Sequence, residues 1–221
     1  MFVYTGPSWA NSSFPILPGN YTTNLAKEWN IPYIDCSKQG SDVMECINLV
    51  KNTEPAPIVW VYNEPLKSIG SATKLTIEQL IERSDWQDIR RECNNFCLKQ
   101  ISDLNRPVFL IGGHSDVLDC NYPNITVGCN SWQKFLVDYV GINDYDLTYF
   151  WGADFIHNCI HMYPDVKPSK EITNAIWDVF QVWEKLEKAL IFYEVHPNLK
   201  GNRLFANFLK PSIIKFLEDN K

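Results

Sequence analysis

Ser8 and His196 are the residues of this chain best suited, by type and position, to nucleophilic chemistry. Ser8 closes the run Phe2-Val3-Tyr4-Thr5-Gly6-Pro7-Ser8. That apolar stretch, ended by Thr-Gly, predicts a hydroxyl just past the carboxyl end of a first strand, where α/β proteins gather their chemistry. His196 stands in Glu194-Val195-His196-Pro197-Asn198, after a long amphipathic segment near the other end of the chain. A serine hydroxyl is too weakly acidic to attack an ester unaided, so a base must take its proton. An imidazole is such a base, and it would then protonate the leaving alcohol. Each residue also has a plainer reading: Ser8 as a helix N-cap, and His196-Pro197-Asn198 as a helix entry capped by Asn198.

Further candidates lie at three other predicted strand ends. Gly40 follows Pro32-Tyr33-Ile34-Asp35, Asn63 follows Pro57-Ile58-Val59-Trp60-Val61-Tyr62, and Gly112 follows Pro107-Val108-Phe109-Leu110-Ile111. Taken singly, Gly40-Ser41 and Asn63 are ordinary turn residues. In Gly112-Gly113-His114-Ser115-Asp116, His114 and Asp116 either line a pocket or belong to a turn with local side-chain hydrogen bonds. Cys93 with Cys97, and His157 with His161, each put two potential zinc ligands on one helical face. Burial on an apolar stripe explains the cysteines, and the histidines fall in an irregular aromatic region. Trp60, Trp177 and Trp183 fit core positions, leaving Trp9, Trp132 and Trp151 as candidates for an exposed stacking platform.

The elements that must position these groups alternate between strand and helix. Phe2 to Tyr4 reads as strand one, then Thr22 to Trp29 as a short helix with Leu25, Ala26 and Trp29 on one face. Asp42 to Lys51 is a helix with Val43, Cys46, Ile47 and Val50 aligned. The run 57–62 is uninterruptedly apolar, as for a strand covered on both faces. Two capping boxes follow, Thr76 with Gln79 and Ser84 with Gln87. The second opens a helix whose stripe is Ile89, Cys93, Phe96, Cys97, Ile101 and Leu104. Residues 114–170 are the least regular, with turns expected at Asn121-Tyr122-Pro123 and Val127-Gly128. Ile172 to Leu190 is an amphipathic helix. The last helix runs from about Asn198 toward Leu217, interrupted at Pro211.

Composition bounds the class. With 221 residues, 45% hydrophobic and 14% aromatic, the chain is a single globular domain, 1–221, carrying an irregular insertion at about 114–170. A net charge of −6 with no Lys/Arg block argues against nucleic acid as a partner. No apolar run reaches membrane-spanning length. The absence of a basic segment followed by an apolar core and cleavage site predicts a cytoplasmic location. The seven cysteines are expected to be reduced and mostly buried. The sequons at Asn11, Asn20 and Asn124 have meaning only in a secreted eukaryotic setting.

Four short blocks, in order and at strand ends, resemble those of the SGNH hydrolases, the GDSL esterase/lipase family. They are Gly6-Pro7-Ser8, Gly40 within Ser37-Lys38-Gln39-Gly40-Ser41, Val61-Tyr62-Asn63-Glu64, and Tyr193-Glu194-Val195-His196-Pro197-Asn198 with Gly201-Asn202 and Ala206 beyond. The resemblance spans nearly the whole chain. Pro7 stands where the family has Asp, Val61 where it has Gly, and Tyr193 where it has the triad Asp.

The resemblance implies a three-layer α/β/α sandwich, with a flavodoxin-like parallel sheet of about five strands. It implies hydrolysis of a short acyl or carbohydrate O-acetyl ester through an acyl-serine intermediate, without metal or organic cofactor. Ser8 is then the nucleophile and His196 the base. The Ser8 and Gly40 N–H groups and the Asn63 amide form the oxyanion hole. The third triad member is left among Glu194, a backbone carbonyl and Asp116, with a solvated loop carboxylate as the plainer reading of Glu194. Tyr193, His114 and Asp116 are pocket candidates. The alternatives are a catalytically degraded module of the same fold and a flavodoxin-like nucleotide binder, the latter disfavoured because no glycine-rich phosphate loop follows strand one.

Overall fold

A computed structural model of the chain describes residues 1–6, 30–38, 41–62, 65, 68, 84–113, 117, 119–131, 135, 192–193, 196–197 and 199–221, with backbone alone at 86–87, 192–193, 196–197 and 199–204. Five strands, β1 (Phe2–Thr5), β2 (Tyr33–Asp35), β3 (Ile58–Tyr62), β4 (Val108–Gly112) and β5 (Ile125–Cys129), form one sheet in the order β2-β1-β3-β4-β5. Every pairing in it is parallel. β1, β3 and β4 are buried at every position, which is why they read as unbroken apolar runs rather than alternating ones.

The sheet's two faces separate by residue parity. Val3, Ile58, Trp60, Tyr62, Val108 and Leu110 share one core with Val43, Cys46, Ile47 and Val50 of α1 (Val43–Lys51). Cys93, Cys97, Leu98 and Ile101 of α2 (Trp86–Ser102) complete it. Phe109, pointing the other way, packs on Phe216 of α3 (Leu199–Asp219), with ring centroids 5.4 Å apart. α1 starts where the sequence predicts, because Asp42 closes a capping box: its carboxylate accepts from the Glu45 N–H at 2.9 Å, and Glu45 reaches back to the Asp42 N–H.

Four sequence expectations are corrected. Val127-Gly128 is not a turn but part of β5, so a core strand lies inside the segment expected to be irregular. The ladder steps from Leu110↔Val127 to Ile111↔Cys129, making Gly128 the extra residue of a bulge. A Cβ there would overlap the ring of buried Phe109, so glycine marks a close approach inside a strand rather than a chain reversal.

Ser84 is not the N-cap of its helix: α2 opens at Trp86 with Asp85 as N-cap and no side-chain cap bond from it. The buried stripe of α2 is also rotated from the expected one. Arg90 and Asn94 are buried with Cys93, Cys97, Leu98 and Ile101, while Phe96 is 52% exposed. Finally, α3 runs through Pro211 without interruption. Pro211 lies on the exposed side, and buried Leu209 and Ile213 on either side of it hold both halves of the helix down.

The Thr22–Trp29 and Ile172–Leu190 helices and the Thr76 box lie outside the described residues. No helix among the described residues is long and apolar enough to cross a membrane.

Candidate active site

Several of the predicted residues follow the carboxyl ends of the strands in the chain, and the described backbone around those ends is tied together. β1 ends at buried Thr5, whose hydroxyl donates to the Cys36 carbonyl at 3.2 Å, tying the ends of β1 and β2 together. Gly6 follows with φ 147°, a conformation side-chain-bearing residues rarely adopt, so the first block needs glycine for a backbone reason. Its carbonyl accepts from the Lys38 N–H at 3.0 Å and from the Ser41 hydroxyl at 3.3 Å. The loop after β2 is thereby fastened to the loop after β1, two residues before Ser8, with Gly40 between the two donors.

The end of β3 is held from below by α2. The Tyr62 hydroxyl donates to Asn94 Oδ1 at 3.1 Å, and the Cys93 thiol donates to the Pro65 carbonyl at 2.8 Å. These two anchors flank Asn63. The Gly113 N–H donates to the Tyr62 carbonyl at 3.2 Å, and a Cβ on Gly113 would stand 2.9 Å from that same oxygen. A side chain would therefore push the end of β4 away from the end of β3. Beyond it, the Val117 N–H donates to the Asn130 carbonyl at 3.0 Å, and the Ser131 hydroxyl to the Gly113 carbonyl at 3.4 Å. Gly113 and Val117, which flank His114 and Asp116 in the chain, are thus both tied to the end of β5.

His196 arrives from the other end of the chain. It lies in β7 (His196–Pro197), which pairs antiparallel with β6 (Phe192–Tyr193) so that Tyr193 is directly opposite His196. α3 then runs against the strand direction. Its last residues border a cavity of about 490 Å³ with Met1, Ile31 and Pro57, which precede β1, β2 and β3 at the amino edge. Its earlier Phe205 packs on Phe135, centroids 5.2 Å apart, and the Phe135 N–H donates to the carbonyl of Ser131, beside the end of β4. The helix therefore begins on the carboxyl side of the sheet, and His196 precedes its first residue by three positions.

Of the predicted site residues, the backbones of Tyr193 and His196 are brought into register, whereas Ser8, Gly40, Asn63, His114, Asp116 and Glu194 lie outside the described residues. So do His157, His161, Trp9, Trp132 and Trp151. Cys93 and Cys97 are buried in the α2 core, where their thiols serve packing and the Pro65 contact. No group of three or more His, Cys, Asp or Glu among the described residues could hold a metal ion.

Sequence reasoning missed the buried polar layer under the loops. Ser41 and Cys46 stand 3.2 Å apart, both fully buried, and burial pushes the Cys46 thiol up from its ordinary value despite its hydrogen bonding with Ser41 and Thr5. The available signal was the serine directly after Gly40. Comparison of the chain with family models, with curated proteins and with solved structures finds no match.

Proposed function

We propose that this chain is a serine hydrolase of the SGNH kind, a three-layer α/β/α protein that cleaves a short acyl or carbohydrate O-acetyl ester. Ser8 attacks the acyl carbon as His196 takes its proton. The tetrahedral oxyanion is received by the N–H groups of Ser8 and Gly40 and by the Asn63 amide. Collapse expels the alcohol, protonated by His196. Water then repeats the sequence on the acyl-serine, with His196 again as base.

The observation that carries the proposal is the double hydrogen bond from Lys38 and Ser41 to the Gly6 carbonyl. It joins the two loops that bear Ser8 and Gly40 at the carboxyl ends of adjacent parallel strands, the edge where such sheets bind ligands. The polarity of α3, which starts on that same side just after His196, supports the pairing of the two ends of the chain.

A fluorophosphonate probe tests it. The folded chain should label covalently, and Ser8→Ala should not; labelling that persists in Ser8→Ala removes the nucleophile. One observation favours a second reading, a binding module with a degraded site. Tyr193, paired opposite His196, supplies no negative charge near neutral pH. That reading predicts a folded chain that binds an O-acetylated sugar without turnover or labelling.

A further inference from the structure

We propose that Ser41 is a positioning residue that sets the spacing of the two backbone oxyanion donors, an assignment that rests on the acyl-transfer reading above. Ser41 is fully buried. Its hydroxyl stands 2.8 Å from the Lys38 carbonyl, 3.3 Å from the Gly6 carbonyl and 3.2 Å from Cys46 Sγ. A buried hydroxyl is costly unless its hydrogen bonds are made. This one makes them across two loops, its proton directed to the carbonyls while the Cys46 thiol can donate to its oxygen.

The geometry gives that bridge a chemical consequence. Gly6 is two residues before Ser8 in the chain, and Lys38 and Ser41 bracket Gly40, so the Gly6 carbonyl is a pivot that joins the two segments leading to the proposed donors. Removing the hydroxyl leaves the Lys38 N–H bond to that pivot but takes away the one from Ser41, which loosens the tie between the two segments. Oxyanion donors act only within a few tenths of an ångström of their working distance. Charge develops on the oxygen only in the transition state, so a loosened loop lowers kcat and leaves KM alone.

Four proteins decide it, assayed as full chains on p-nitrophenyl acetate, with amide hydrogen exchange at Lys38 measured in parallel. Ser41→Ala should lower kcat by about tenfold, a fraction of the effect of losing a donor outright, with KM within about twofold. Exchange at the Lys38 amide should accelerate. Cys46→Ala removes neighbouring core volume but keeps the hydroxyl, and should stay close to the parent in kcat. If Ser41→Ala does not fold, Ser41→Cys fills the space with a weaker donor and should show the same kcat loss. An unchanged kcat in the folded Ser41 variant, a change confined to KM, or an equal loss in Cys46→Ala overturns the assignment while leaving the hydrolase reading intact. A parent that hydrolyses no ester and takes no fluorophosphonate overturns both.

Discussion

Gly128→Ala is the sharpest test of how the sheet is closed. The Cβ it adds would overlap three ring atoms of Phe109, Cζ, Cε1 and Cε2, where ordinary carbon–carbon contact is about 3.5–4.0 Å. The ring has little room to retreat, because Phe109 is 1% exposed and its other neighbour is the Phe216 ring of α3. Overpacking at such a site costs about 3 kcal/mol, while the lost chain entropy of glycine in the unfolded state returns about 0.7 kcal/mol. Roughly 2 kcal/mol of net destabilisation remains, which for a chain of this size lowers Tm by roughly 4–8 °C. Thermal melts followed by circular dichroism measure it directly. Phe109→Leu should shrink the clash, so the double variant should lose less stability than the sum of the two single ones. A Gly128→Ala protein melting within about 2 °C of the parent, with no coupling to position 109, would refute the close approach.

Cys46 predicts a pH dependence. Burial raises its thiol above the usual value in the folded chain, so below the unfolded value both states hold the proton and the stability is fully present. Above about pH 8.5 the unfolded thiol ionises first, and stability falls by up to about 1.4 kcal/mol per pH unit until the folded thiol follows. Urea melts from pH 8 to 10 should show this decline, and a shallower one in Cys46→Ala. Asn124→Ala removes two hydrogen bonds donated to the Ser102 and Arg106 carbonyls and one accepted from the Ser102 hydroxyl. It should cost about 2 kcal/mol in chemical denaturation, and a neutral result would show that the amide does not tie α2 to β5. Glu194→Gln should reduce kcat by orders of magnitude in a folded protein if that carboxylate orients His196; activity within a few-fold of the parent would assign the role elsewhere.

How far the sequence could be read follows from where burial is symmetric. β1, β3 and β4 are covered on both faces, so continuous apolar runs identify them without knowledge of any partner. α1 carries its own start signal in Asp42 and Glu45 and its own buried stripe in Val43, Cys46, Ile47 and Val50. β5 lacks such a run: its burial is partial beyond Ile125, and it contains a glycine. Glycine is a turn signal in any local window, and only the ring of Phe109 turns it into a bulge. α2 misled for a related reason, since two polar residues, Arg90 and Asn94, face inward while Phe96 faces out.

The sequence by itself determined the alternation of strand and helix and the positions of four strands, the last of which extends one residue further than expected to take in Gly112. These are local properties, set by hydrophobic period, caps and turn residues within about ten positions of each other. The tertiary structure alone decided the strand order, the polarity of α3, the passage of that helix through Pro211, and the joining of Gly6 to Lys38 and Ser41. Each of these depends on contacts between residues far apart in the chain. The serine after Gly40 is visible in the sequence but its burial is not, because beyond the nearby Lys38 carbonyl its hydroxyl also reaches the Gly6 carbonyl, 35 residues away.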